Sequence, residues 1–478
     1  MNKQKNILLQ DKRVQQSYYA DNNIIDKISQ WISMYENSAE NENSLGLPAA
    51  ICNEIARLVT LELEFEVVDI NKSNSENTDK VETRAQYINR QMSPVINKIK
   101  KYTEYACAGG GLVFKPILNG DKITIDVNYA NQFVPLAFDD DVMTSIMFLD
   151  IKTRENKYYY RFECHEFKDK KYKVTNKAYV SYMNDSIGKP CSLTEVDEWA
   201  NLAEEQIIKD VPLPLFEYFR IPDGNCLNMN LPLGVASFYR AIPQIAKADK
   251  QWDRYNWEFE SGERIMEASR EAFETDKDGT PMVPEGKERL FWITELDSAN
   301  EGKLVNFHSP EFREAAQKAG LNTILQRIEF NCGLAYGTLS DPTDIQKTST
   351  EIKASKQRSY STVTGIQKAL DKSLKNVASI IDVYCDLYLD IYKQQPDNKF
   401  IIPEKSEYAI NASWDDSIVI DSDTERTRDM NEVRQGLMAK WEYRAKWYGE
   451  DEETAKSKIA EMDKKANTND PFSFNKTE

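Results

Sequence analysis

The pattern of apolar and polar positions divides the chain into four stretches of different character. Residues 1–62 carry helical spacing. Trp31 and Tyr35 fall one turn apart, and Leu47, Ile51, Ile55, Leu58 and Val59 form a stripe, with Pro48 in a first turn that tolerates proline. Residues 63–230 read mainly as strands: ITIDVNYA (123–130), KYYYRFECHEF (157–167) and KAYVSYM (177–183) are rich in β-branched and aromatic residues. A polar stretch, NKSNSENTDK, precedes a helix ending near Ala108. The triplet Gly109-Gly110-Gly111 then leads into LVFKPIL. No Gly-Lys-Ser/Thr follows and a strand comes next, so the triplet reads as a turn or helix cap, not a phosphate cradle.

Residues 231–395 are dominated by long helices with one interruption. The first is expected from Val235 to Glu260, with Phe238, Ile242, Ile245, Ala248, Trp252 and Tyr255 as its stripe; Pro243 either kinks it or marks a second start. A turn-rich insert follows, including DKDGTPMVPEGK (276–287) and the strand-like LFWIT (290–294). Ser309, Pro310 and Glu311 predict the start of a second helix, which continues through Phe312, Ala316, Ile324, Leu325 and Ile328 to about Cys332. After a polar break, GTLSDPTDIQK (337–347), the capping box Thr348-Ser349-Thr350-Glu351 opens a third helix. Its stripe runs through Ile352, Val363, Ile366, Leu370, Leu374, Val377, Ile381, Tyr384, Tyr388 and Ile391, a span of about 70 Å, with Gly365 as a point for a bend. Such a helix serves an extended assembly or, alternatively, a coiled-coil dimer.

Residues 396–478 add one strand-like segment, YAINASWDDSIVI (408–420), and a second capping box, Ser422-Asp423-Thr424-Glu425. Short helices follow around Val433–Leu437, Trp441–Trp447 and Ala455–Ile459.

Composition narrows the function classes. The 478 residues carry 61 basic and 78 acidic side chains, a net charge of −17. That balance argues against a sequence-specific DNA binder, which shows a basic patch or a basic isoelectric point. It is compatible with a surface along which DNA slides, because acidic or neutral walls repel phosphate. Seven scattered cysteines without a CxxC read as reduced thiols, and two distant histidines argue against a zinc site. No apolar run is long enough to span a membrane and no secretory leader is visible, so the chain is expected inside the cell.

Three segments carry a family resemblance. They are YRAIPQIAKADKQWDRYNWEFESGERIMEASREAF (239–273), FNCGLAYGTLSDPTDIQKTSTEIKASKQRSYSTVTGIQKALDKSL (330–374) and WDDSIVIDSDTERTRDMNEVRQGLMAKWEYRAKWYGEDEETAKSKIAEM (414–462). In this order they resemble portal proteins of siphophages that infect Gram-positive bacteria. LGLPAAICNEIARLVTLELEF (45–65) is compatible with that family, whereas 66–230 shows no comparable likeness.

The resemblance implies an α+β portal fold and a non-enzymatic role. Residues 1–234 would form a wing, 235–261 a first stem helix, 262–308 a small α/β clip and 309–334 a second stem helix. Residues 335–347 would form a tunnel loop, 348–395 a long wing helix, 396–421 a wing strand region and 422–478 a helical crown. Subunits of this family form a closed ring, usually dodecameric, at one capsid vertex of the virion, assembled in the host cytoplasm. The implied partners are the large terminase subunit, the head-completion adaptor, the scaffold and major capsid proteins, and double-stranded DNA passing without sequence specificity during packaging and ejection. No cofactor, metal or membrane is implied.

Laid on this sequence, the loop residues nearest DNA would be Thr338, Ser340, Asp341, Thr343, Asp344, Gln346 and Lys347. Lys247, Lys250 and Arg254 lie at helical spacing on the first stem helix, where they either face the channel or pair with a neighbouring subunit. Phe291, Trp292 and Ile293 are either clip interface anchors or local core. Other chemistry is thin. Walker A, GxSxG, HExxH and kinase signatures are absent. The pairs in Asp139-Asp140-Asp141 and Asp415-Asp416 read as solvated loops, and Lys168-Asp169-Lys170-Lys171-Tyr172-Lys173 as an exposed hairpin tip. The competing functions are an oligomerising helical scaffold without a channel and a metal-dependent nuclease built on those carboxylates.

Overall fold

The computed structural model describes residues 3–39, 44–70, 82–119, 122–261, 265–269, 272–278, 281–283, 290–294, 305–308, 311, 313–341, 349–392, 402–414 and 422–468. The fold is α+β. Two compact units divide the chain, Met1–Ser413 and Trp414–Glu478.

The first unit opens with helices α1 (Lys3–Leu8), α2 (Lys12–Gln16), α3 (Asn22–Glu36) and α4 (Leu47–Thr60), then strand β1 (Leu63–Asp69). Helices α5 (Arg84–Ile96) and α6 (Ile99–Gly109) lead into β2 (Gly111–Asn119) and β3 (Lys122–Tyr129). Strands β4 (Phe133–Asp139), β5 (Val142–Arg154), β6 (Lys157–Lys168), β7 (Lys171–Ser181), β8 (Lys189–Cys191) and β9 (Glu205–Ile208) make an antiparallel sheet in which β8 and β9 both pair with β7. Strand β10 (Glu217–Arg220) returns to pair with β2.

Period-two alternation sends neighbouring residues of the large sheet into separate cores. Phe133, Ile146 and Phe148 pack with Ile24, Val113, Phe216, Leu231 and Ile380. Val134, Met147 and Phe162 pack on the other side with Ile7, Leu8 and Val14. The basic run is indeed a hairpin tip: Lys168 pairs with Lys171, and Asp169 and Lys170 between them hold φ of 51° and 58°. Two positive φ values are what a tight primed turn demands. Asp140, at φ 50°, turns the β4–β5 hairpin, and its acidic neighbours are exposed.

The glycine triplet is more than a cap. Gly110 ends α6 in the left-handed region, and a Cβ there would come within 2.5 Å of the Gly234 carbonyl oxygen. Gly111 sits equally tightly against Phe219 and Tyr218. This close approach joins the start of β2 to the segment that enters the next helix.

That helix, α7 (Ile242–Ser261), begins later than the apolar stripe predicts. Residues 231–238 lack helix, and Tyr239–Ala241 form a short 3-10 turn. The N–H of Ser237 donates to the Cys107 carbonyl at 2.8 Å, and Val235 and Phe238 are buried. Tertiary packing uses these apolar residues without a helix, and Pro243 marks a start instead of a kink.

Strands β11 (Ile265–Ser269), β12 (Phe291–Thr294) and β13 (Val305–His308) form a small sheet with β11 in the middle, parallel to β12 and antiparallel to β13. Helix α8 (Glu314–Asn331) follows; the expected start signals Ser309 and Pro310, and Phe312, lie outside the described residues. Its first turn is served from α7: the Glu258 carboxylate accepts the Arg313 N–H at 3.1 Å and is gripped by the same guanidinium.

Helix α9 (Ser349–Tyr392) continues through Gly365 for 44 residues. Val363, Ile366, Leu370, Leu374, Val377, Ala378, Ile381 and Cys385 are buried inside this unit. From Val363 to Cys385 its apolar face is therefore covered within this unit, which leaves no coiled-coil seam over that span. Strand β14 (Tyr408–Trp414) pairs with β1, and the rest of the predicted 408–420 strand, with Asp415 and Asp416, lies outside the described residues.

The second unit holds α10 (Ser422–Gln435), α11 (Lys440–Tyr448) and α12 (Glu452–Thr468). Among its described residues Ala455 is the one fully buried apolar side chain. Polar contacts dominate instead. Asp429 accepts from Lys446 Nζ at 2.8 Å and Trp447 Nε1 at 3.0 Å, Glu450 takes a bidentate grip from Arg444, and Arg426 lies over Trp447 and Tyr448.

Candidate functional site

Helices α7 and α8 form an antiparallel hairpin. Gln251 donates to Gln317, Glu258 clasps Arg313, and Asn331 reaches the Arg240 carbonyl at 3.4 Å. Pairing late residues of α7 with early ones of α8 places the β11–β13 insert at one end of the hairpin and the segment after Asn331 at the other.

That far end is held by one buried acid. Glu329 has no exposed surface. Its Oε1 accepts the backbone N–H of Gly337 at 3.1 Å, Leu339 at 2.6 Å and Ser340 at 2.8 Å, and its Oε2 accepts the Ser340 hydroxyl at 2.9 Å. Two turns earlier on α8, the buried Asn322 side chain accepts the Asp341 N–H at 2.8 Å, and Lys318 pairs with the Asp341 carboxylate at 3.3 Å. Gly333 makes the turn with φ +70°, and a Cβ there would strike the Thr362 hydroxyl of α9. Arg358 of α9 lies over Phe330 and Tyr336, 4.5 and 5.1 Å from the ring centres. Residues 333–341 are thus packed between α8 and α9.

The loop residues expected to meet DNA divide accordingly. Thr338 is half-buried and donates to the Ala335 carbonyl at 2.6 Å. Ser340 is 4% exposed with its hydroxyl committed to Glu329, so its side chain is internal and does not belong to the expected DNA-facing set. Asp341 is half-buried in its ion pair. Thr343, Asp344, Gln346 and Lys347 lie outside the described residues. Lys247, Lys250 and Arg254 are exposed along one face of α7.

In the insert, Phe291 meets Phe273 edge-on at 6.2 Å and is local packing, whereas Trp292 is 56% and Ile293 43% exposed. The sequence reading missed further exposed aromatics on the hairpin: Trp257, Phe259 and Phe330. It also missed Glu329 and Asn322. Both stand on the helical line of Leu325, Ile328 and Cys332, and a polar residue on an apolar line is the signal that would have found them.

Three titratable groups elsewhere have altered acidity. Burial alone would raise the Glu163 carboxyl, but Lys115, His165 and Arg161 around it hold it well below the usual carboxylate range. Burial pushes His165 down, and its ring bridges Glu163 and the Tyr172 hydroxyl. Burial pushes Glu217 of β10 up to about 7, against hydrogen bonds from Ser373 and Asn376 of α9 and the charge of Lys372. A cavity of about 500 Å³ adjoins it, lined also by Arg220 and Asp141. Among the described residues no group of three or more His, Cys, Asp or Glu could hold a metal, and no helix is long and apolar enough to cross a membrane.

No family model and no curated protein matches the chain. Among solved structures, it is similar to a chain in the neck of a native gene transfer agent particle computed with C12 symmetry, and to a chain in the virion of a native gene transfer agent particle. Each likeness has 10% identity and a TM-score of 0.41 and covers 87% of this chain and 92% of the other.

Proposed function

We propose that this chain is a portal subunit, which forms a ring-shaped DNA channel at one vertex of a phage capsid and catalyses no reaction. The observation that carries the reading is the antiparallel α7–α8 hairpin, with a small sheet at one end and an anchored loop leading into α9 at the other. Those are the stem, clip and tunnel-loop relations that the sequence resemblance implies. In this reading the clip meets the terminase motor and then the head-completion adaptor, and the loop lies beside the passing DNA. The wing and crown complete the ring within the head, among scaffold and major capsid proteins.

Exposed Trp257, Phe259, Trp292 and Ile293 on the hairpin and insert support association of neighbouring copies, since aromatic residues are enriched at the cores of interfaces. A ring needs head-to-tail contacts, so each subunit offers two different surfaces. Negative-stain microscopy with light scattering tests the reading. Open-centred rings with a mass near twelve subunits are expected, and Trp292→Asp should reduce ring yield without unfolding the monomer. A monomer or dimer at every salt and protein concentration sinks it.

A further inference from the structure

The N–H groups of Gly337, Leu339 and Ser340 converge on a single point, forming the kind of backbone concavity that binds anions. In this chain the concavity is filled from within by Glu329. We infer that Glu329 is a positioning residue acting as an internal anion. It fixes the loop base to α8 and occupies donors that would otherwise hold a DNA phosphate. The inference rests on the portal reading for the identity of the anion that is kept out, but not for the anchoring itself.

The chemistry favours this role. A carboxylate and a phosphate present similar oxygens to backbone donors, and charge-assisted bonds of this kind are the strong ones. A protein through which DNA slides gains from having no phosphate-sized nest open along its path, because each held phosphate adds a salt-dependent grip. Asn322 and Lys318 add two further ties from the same helix to Asp341, so the described part of the loop is bound to α8 and follows any shift of that helix.

The test compares the full chain with Glu329→Gln and Ser340→Ala by hydrogen exchange, and then by retention of a short linear duplex DNA as salt is raised. In Glu329→Gln, the amides of Gly337, Leu339 and Ser340 should exchange at least about tenfold faster, while those of mid-α8 keep their protection. Ser340→Ala keeps the three N–H donors on Glu329 and should show a smaller rise; it also serves if Glu329→Gln fails to fold. Rings of Glu329→Gln with unchanged mass should release DNA at higher salt, by about twofold in concentration. Unchanged exchange at 337–340 in a folded variant would overturn the anchoring. Faster exchange with unchanged or weaker DNA retention would overturn the internal-anion role. If the wild-type chain forms no ring, the portal reading and the DNA role fall together, and exchange alone still decides the anchoring.

Discussion

Arg84 and Asp382 meet 2.8 Å apart, with the Arg84 side chain wholly enclosed. The guanidinium also donates to the Pro403 carbonyl at 3.1 Å and lies 3.1 Å from Asp386, so one residue at the start of α5 ties together α9 and the chain that leads to β14. Breaking one side of a buried ion pair leaves the other charge without a partner, at a cost of about 3–5 kcal/mol. Arg84→Met should therefore lower the unfolding midpoint of the first unit sharply. Lys405→Met, which removes an exposed partner of Asp386, should change it little. Comparable midpoints for the two variants would refute this assignment.

Gly234 and Gly110 set a second constraint. Either Cβ would overlap the other residue's backbone, and Gly110 also holds φ +86°. Alanine at either site should cost at least about 2 kcal/mol, since neither contact is with a flexible side chain. Gly224 has nothing within 4 Å of its notional Cβ and no positive φ, and Gly224→Ala is the control that should be neutral. Thermal melts of the three variants decide it.

These sites show what the sequence could and could not disclose. The helical hairpin, the long α9 and the 168–171 turn were legible because each is written in local periodicity or turn chemistry. The entry to α7 was misplaced because Val235 and Phe238 look helical, whereas the backbone there is held by Ser237 on Cys107 and Gly234 against Gly110, over a hundred residues away. The convergence of β8 and β9 on β7, and the central place of β11, depend on pairings that no local pattern encodes. Ser340 was placed beside DNA by the family resemblance and its polarity, and only the fold brings it to Glu329.

Glu217 predicts a pH dependence of a definite sign. Its carboxyl is raised to about 7 in the folded chain from an ordinary 4.5. Its contribution to stability is therefore fully present below about pH 4.5 and is lost as pH rises through about 7. Because the group keeps partial access to the adjoining cavity, the loss is at most on the order of 3 kcal/mol. Facing it are Ser373, Asn376 and Lys372 from α9, Arg220 on its own strand and Asp141 from the β4–β5 turn. Glu217→Gln should flatten the wild-type difference in stability between pH 5 and pH 8. Parallel pH profiles for variant and wild type would show that Glu217 does not titrate there.

The C-terminal helices should respond to acid in the opposite sense. Arg444 and Lys458 hold the Glu450 carboxyl down at about 2, and Lys446 with Trp447 holds Asp429 below its usual range. A depressed carboxylate contributes stability above its unfolded value and loses that contribution as pH falls through the folded one. For Glu450 the window runs from about 4.5 down to about 2. The unit has little else to hold it: Ala455 is its one fully buried apolar residue among those described, while Met430, Leu437 and Met462 are exposed. Pepsin, active across this range, should cut within 422–468 progressively faster as pH falls from 4.5 to 2, before the sheet of the first unit is attacked. Glu450→Gln should be cut readily already at pH 4.5 and show a shallower dependence. Equal cleavage of variant and wild type at both ends of the window would mean that packing of Trp441, Trp447 and Tyr448, not the ion pairs, holds these helices together.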